Sequence, residues 1–135
     1  MKREQKTSKI INIILWAAQI LLAVTLIWAG AMKLFKPTDL PWQWIKENPN
    51  LVRITGVLDL LAGVGFVLPG LLRIQPKLVI YAAYGTLVLM LAASIFHISR
   101  GEASQIGFNI FVAVTSLFIA WGRQKKAAIV PENKL

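Results

Sequence analysis

The sequence predicts an all-α polytopic membrane protein: four transmembrane helices in one bundle, with a short interfacial helix in the first loop. Three observations lead there. Apolar residues make up 56% of the 135-residue chain and mean hydropathy is +0.61, above the range of soluble domains. They fall in four long runs separated by Pro, Gly, Asn and charged residues. The basic residues behind the net charge of +9 gather at the ends of those runs, so a bilayer accounts for them better than nucleic acid does.

The first helix is expected over about 10–34, after a basic N-terminus, 1–9, that holds Lys2, Arg3, Lys6 and Lys9. Ile10 to Met32 carries no charge and spans about 34 Å at helical rise, enough for a hydrocarbon core. Ala29-Gly30-Ala31 has the small residues of a signal cleavage site, but the apolar run is far longer than a signal peptide's, so the helix is expected to be retained. Gln19, Ala23, Leu26, Gly30 and Lys33 line one stripe of it. The first loop, Lys36 to Asn50, contains Pro37, Pro41 and Pro49. A short helix capped by Thr38 or Asp39 must stop near Asn48, because the residue before Pro49 is pushed out of the helical region. Trp42, Trp44 and Ile45 suit headgroup level.

The second helix is expected over about 51–69, capped by Asn50 and ended by Pro69-Gly70. The third covers about 76–99, opens on Pro76 and stops at Gly101. The fourth covers about 104–122, with Ser104 as its cap. These four make a single domain, 10–122, followed by a basic tail, 123–135, whose last residues are expected to fray. Four crossings put both termini and the second loop on one side. Ten of the 15 basic residues fall there, so the chain is placed in the cell membrane with cytoplasmic termini.

Asp59 organises the candidate site. An acid at the centre of a membrane helix costs roughly 2.5–3.5 kcal/mol on insertion scales, so it needs a partner or a purpose. Gly56, Asp59, Gly63, Phe66 and Gly70 recur at three- or four-residue spacing and share one face. That face is small enough for close helix packing. Helix direction places Lys33, Asp59, His97 and Asn109 in the outer half of the bundle, one from each helix. They are expected to form a polar cluster, with Lys33 as the counter-ion of Asp59 and Arg53, Arg100 and Glu102 at its mouth. Gly30, Gly56, Gly63 and Gly85 are the expected packing glycines. A buried pair can equally fix helix register, and both readings stay open.

Several chemistries are excluded. The chain has no cysteine, so thiol redox chemistry and Cys-ligated metal are ruled out. One histidine and few acids leave no metal site and no bis-histidine haem. No phosphate-binding loop or serine-nucleophile motif occurs.

The pattern resembles the DoxX-like family of small four-helix membrane proteins. The residues that carry the resemblance are Gly30-Ala-Met-Lys33-Leu34, Gly56-Val-Leu-Asp59-Leu60-Leu-Ala-Gly63 with Leu68-Pro69, His97-Ile-Ser-Arg100-Gly101-Glu102, Asn109, and Trp121-Gly122-Arg123. The family usually has Glu where Asp59 stands; Asp keeps the charge and shortens its reach by one methylene. The resemblance implies a heterogeneous set of roles: members are linked to a quinone-reducing thiosulfate oxidoreductase, to methylamine-utilisation maturation, to oxidative-stress complexes and to receptor assembly. A shared fold does not pass on function.

Taken together, the expectation is a non-catalytic accessory or assembly subunit. Its outward-facing polar pocket would take a small or quinone-like ligand, and its partners would be the lipid bilayer, a membrane or redox subunit, or a second copy. No cofactor is evident beyond that quinone. Two alternatives stay open: a quinone-linked redox component in which His97 and Asp59 pass protons, and a conductor of protons or small solutes.

Overall fold

The computed structural model describes residues 2–131 and 133. Met1, Glu132, Lys134 and Leu135, and the side chains of residues 2–7 (Lys2, Arg3 and Lys6 among them), lie outside the described residues. Within them all the regular structure is helical. Helix α1 covers Lys2–Phe35, α2 Gln43–Glu47, α3 Pro49–Leu72, α4 Leu78–Ser99 and α5 Gly107–Lys125. Short 3₁₀ turns at Pro37–Asp39 and Ala103–Gln105 precede α2 and α5.

Helix α1 starts well before Ile10, because Lys, Arg, Glu and Gln are themselves good helix formers. The first loop divides into a 3₁₀ turn and α2 around Pro41, with Trp42 rather than Thr38 or Asp39 in the capping position. Helix α2 stops at Asn48, where the following proline requires it. Pro49 then opens α3 at a position where its missing N–H is harmless, so Asn50 is inside the helix and caps nothing.

Pro69 does not end α3. The helix runs on to Leu72 and closes at Arg73, in the left-handed conformation with φ 53°. In an apolar surrounding, abandoning a helix exposes more backbone groups than the one hydrogen bond a proline removes. Pro69 offers no N–H to the Gly65 carbonyl, and beside that gap the Gln19 amide donates to the Phe66 carbonyl at 2.6 Å. Ser104 sits in the second 3₁₀ turn, and α5 begins after Ile106 without a side-chain cap.

Helix α1 packs most extensively on α3 and α4 on α5, and α3 against α4 joins the two pairs. Glycine permits the first contact. A Cβ on Gly30 would lie 2.6 Å from the Gly56 carbonyl oxygen, and one on Gly63 would lie 3.0 Å from the Ala23 carbonyl oxygen. Gly56, Asp59, Gly63, Phe66 and Gly70 are all buried, together with Val52. Gly85 differs, because a Cβ there would meet open space. The close contact between α3 and α4 is at Gly65, against Ala82.

The main core runs along the bundle through Leu15, Leu22, Phe66, Val79, Val112 and Ile119. The described part of the tail joins it, with Ala127 buried and Ile129 packed against the core, while most of the last residues, expected to fray, lie outside the described residues. A smaller cluster of Leu40, Trp44, Ile45 and Val52 fixes the first loop over the opposite end. Outside these clusters the surface is apolar, with Ile13, Leu61, Val88, Ile95 and Val114 all well exposed. Three helical segments, Ser8–Phe35, Pro49–Leu72 and Leu78–Ser99, are long and apolar enough to cross a membrane.

Candidate functional site

The polar side chains gather at two ends of the bundle. At the end where α1 finishes and α3 begins, Lys33 reaches Asp59. Its Nζ donates to Oδ2 at 2.8 Å, and Asp59 is only 2% exposed. The contact follows from the α1 and α3 stripes, since Gly56 lies one turn before Asp59 and a Cβ there would sit 3.1 Å from the Lys33 Cβ. With no side chain at Gly56, the lysine stem can lie along α3. The ammonium also sits 5.5 Å from the centre of the Trp44 ring, so it is held between a carboxylate and an aromatic face.

Trp44 continues the cluster to α4. It meets Phe96 and His97 edge-on, at 5.9 and 6.1 Å between ring centres. Of the two loop tryptophans, Trp44 is buried and Trp42 is exposed. The end of α4 then folds back on itself. Gly101, at φ 76°, lets the Glu102 N–H donate to the His97 carbonyl at 2.8 Å and the Gly101 N–H to the Ile98 carbonyl at 3.0 Å. This closure brings the Glu102 Oε1 to 3.1 Å from His97 Nδ1. A carboxylate can only accept, so Nδ1 is the donor in this contact. Arg100 donates from Nε to Glu102 at 3.0 Å and from Nη2 to Glu47 on α2 at 2.5 Å. Hydrogen bonding from His97, then Arg100, holds the Glu102 carboxyl below its ordinary pKa, and Arg100 with Gln43 does the same for Glu47.

The four residues expected in one cluster are therefore arranged differently. Lys33 and Asp59 pair directly. His97 stands across Trp44 from them and pairs with Glu102. Asn109, in the first turn of α5, is buried, but its amide nitrogen has no hydrogen-bond partner among the described residues. Of the expected mouth, Arg100 and Glu102 join the His97 network, while Arg53 is exposed on α3 and takes no part in it.

The opposite end holds a site that sequence reasoning missed. Arg123, in the last turn of α5, is 2% exposed. Its Nε donates to Gln19 Oε1 at 2.7 Å, and its Nη1 to Asn12 Oδ1 at 2.7 Å and to the Ala127 carbonyl at 2.8 Å. The guanidinium lies 5.4 Å from the Trp16 ring centre. Its Nη2 is buried without a partner among the described residues. The signal was present: Asn109, Val112, Ser116, Ile119, Ala120 and Arg123 recur at helical spacing, which puts the arginine on the buried face. It was read instead as part of a basic tail.

An all-helical chain with membrane-length apolar helices, a lipid-like exterior and charge confined to buried pairs and helix ends is a membrane protein. It belongs to the DoxX-like family, whose sequence model matches residues 17–119 and so includes Lys33, Asp59, His97 and Asn109. No curated protein and no solved structure matches the chain.

Proposed function

We propose that the protein is a non-catalytic accessory or assembly subunit of a membrane complex, with α1, α3, α4 and α5 crossing the bilayer. Both termini are cytoplasmic, and α2 lies at the outer interface. Helix α5 has 19 residues, about 28 Å at helical rise, and carries no charge before Arg123. The ten-to-five bias of basic residues supports the orientation.

One observation carries the functional reading: the outer charges answer one another. Lys33 holds Asp59, while Arg100 bridges Glu47 and Glu102, and Glu102 accepts a hydrogen bond from His97. A base or proton carrier needs a group free to exchange protons with a bound reactant. Here the acid and the imidazole are both engaged with partners of their own chain. The same network ties α1 to α3 and α2 to α4, giving a rigid outer face suited to docking against another subunit. The Lys33–Asp59 neighbourhood is where a small or quinone-like ligand would compete if one binds.

Purification of the full chain in a mild detergent, followed by identification of bound proteins and extraction of quinones, tests this reading. A membrane protein recovered in fixed ratio, with its recovery lost in Glu47→Gln/Glu102→Gln, is the expected result. A retained quinone whose binding disappears in Asp59→Asn would favour the redox alternative. Proton flux in liposomes abolished by Asp59→Asn would favour conduction. A reporter fused after Leu135 is expected on the cytoplasmic side.

A further inference from the structure

The Arg123 end has the opposite character. Its guanidinium is buried, yet its three hydrogen bonds, from Nε and Nη1, all go to neutral amide oxygens, and its third nitrogen, Nη2, has no partner among the described residues. A buried charge left in this way is costly unless an anion completes it. Arg123 lines a cavity of about 1140 Å³ between the α3–α4 connection, the end of α5 and the tail. Two more cations, Arg73 and Lys77, line the same cavity, and no acid does so among the described residues. Arg73 is the left-handed residue that ends α3, a conformation usually left to glycine or asparagine, so a long basic side chain is carried where the backbone disfavours any. The rest of the wall includes Leu78, Ile80 and Ile129. Three cations above an apolar wall match the headgroup and upper chains of an anionic phospholipid better than they match a free ion.

We propose that this cavity is a binding site for the phosphate of an anionic phospholipid, in which Arg123 is the buried anchor and Arg73 and Lys77 gather the headgroup. Basic pockets between membrane helices on the cytoplasmic side recognise lipids through this chemistry. The cytoplasmic location rests on the orientation proposed above, but the chemistry of the site does not.

Native mass spectrometry of the full chain in neutral detergent, titrated with phosphatidylglycerol or phosphatidylcholine, tests the proposal without reference to topology or to any partner subunit. One phosphatidylglycerol is expected to be retained in preference to phosphatidylcholine. Arg73→Gln and Lys77→Gln, both at exposed positions that need not disturb folding, are each expected to weaken retention about fivefold. Arg123→Met is expected to abolish the preference if it folds. Equal retention of both lipids, or a preference unchanged in Arg73→Gln/Lys77→Gln, would overturn the proposal. Complete displacement by millimolar inorganic phosphate would assign the site to a soluble anion and overturn the lipid assignment. Retention appearing only in Glu132→Gln would mean that the chain's own carboxylate fills the cavity, and would overturn it as well.

Discussion

Lys33 and Arg123 are both basic residues at the end of a long helix, and both would ordinarily be read as side chains snorkelling to a membrane surface. Lys33 turns inward to an acid on the neighbouring helix, and the charges around it are balanced within the chain. Arg123 turns inward to Gln19, Asn12 and a backbone carbonyl, none of which carries charge. The first end is closed by opposite charges; the second is left electrically open. On the two proposals made above, the difference separates a structural latch from a place where something outside the chain can bind.

The largest expected effect follows from breaking the closed end from one side. Lys33→Met leaves Asp59 buried beside a methionine, and loss of one partner of a buried pair costs about 3–5 kcal/mol. A fall in the detergent unfolding midpoint well beyond that of Lys36→Met, a substitution at an exposed lysine, is expected. Next comes the backbone contact that lets the pair form. Gly30→Ala drives a methyl into the Gly56 carbonyl and is expected to cost about 1–3 kcal/mol. Gly85→Ala meets open space and is expected to be neutral or to stabilise by up to about 1 kcal/mol through helix propensity. Thermal melts of the two variants side by side separate packing glycines from incidental ones.

At the open end the expected loss is of similar or smaller size. Gln19→Leu removes the acceptor of the Arg123 Nε and the donor to the Phe66 carbonyl, a cost of about 1–3 kcal/mol. Among the described residues no acid is part of the arrangement, so no substitution of a described acid can compensate for it. Proteolysis of the tail near Ala127 should accelerate in that variant.

Acid separates the ends most gently. Glu102 and Glu47 have carboxyls held below their ordinary pKa, so the stability they lend is fully present above the ordinary carboxyl range. It is lost as pH falls through the depressed values, below about pH 4.5. Trp44 sits among these groups, so a change in its fluorescence in that window is expected. Glu47→Gln/Glu102→Gln should remove the change, and Arg123 should not contribute to it.

Much of the closed end was legible in the sequence because it obeys helical spacing. The three- and four-residue steps through Gly56, Asp59 and Gly63 fixed a buried face, and chain direction gave Lys33 the same depth. The short stem of Asp59 required a partner inside the bundle. The remainder depended on tertiary closure that spacing does not encode. Trp44 is drawn inward by Phe96 and His97, and Glu102 meets His97 only because the backbone reverses at Gly101. Pro69 misled because its local effect, one lost hydrogen bond, is small beside the demand of an apolar environment for continuous helix. Arg123 was overlooked because its charge suggested the surface while its spacing placed it in the core.

The central claim is that Lys33 and Asp59 matter as a pair. A double-mutant cycle measures this most directly, using the detergent unfolding of the parent protein, Lys33→Met, Asp59→Asn and the two combined. The expected result is that Lys33→Met is the most damaging, Asp59→Asn less so, and the combined variant more stable than either, because no orphan charge remains. Equal damage in all three variants, or strictly additive losses, would contradict the account.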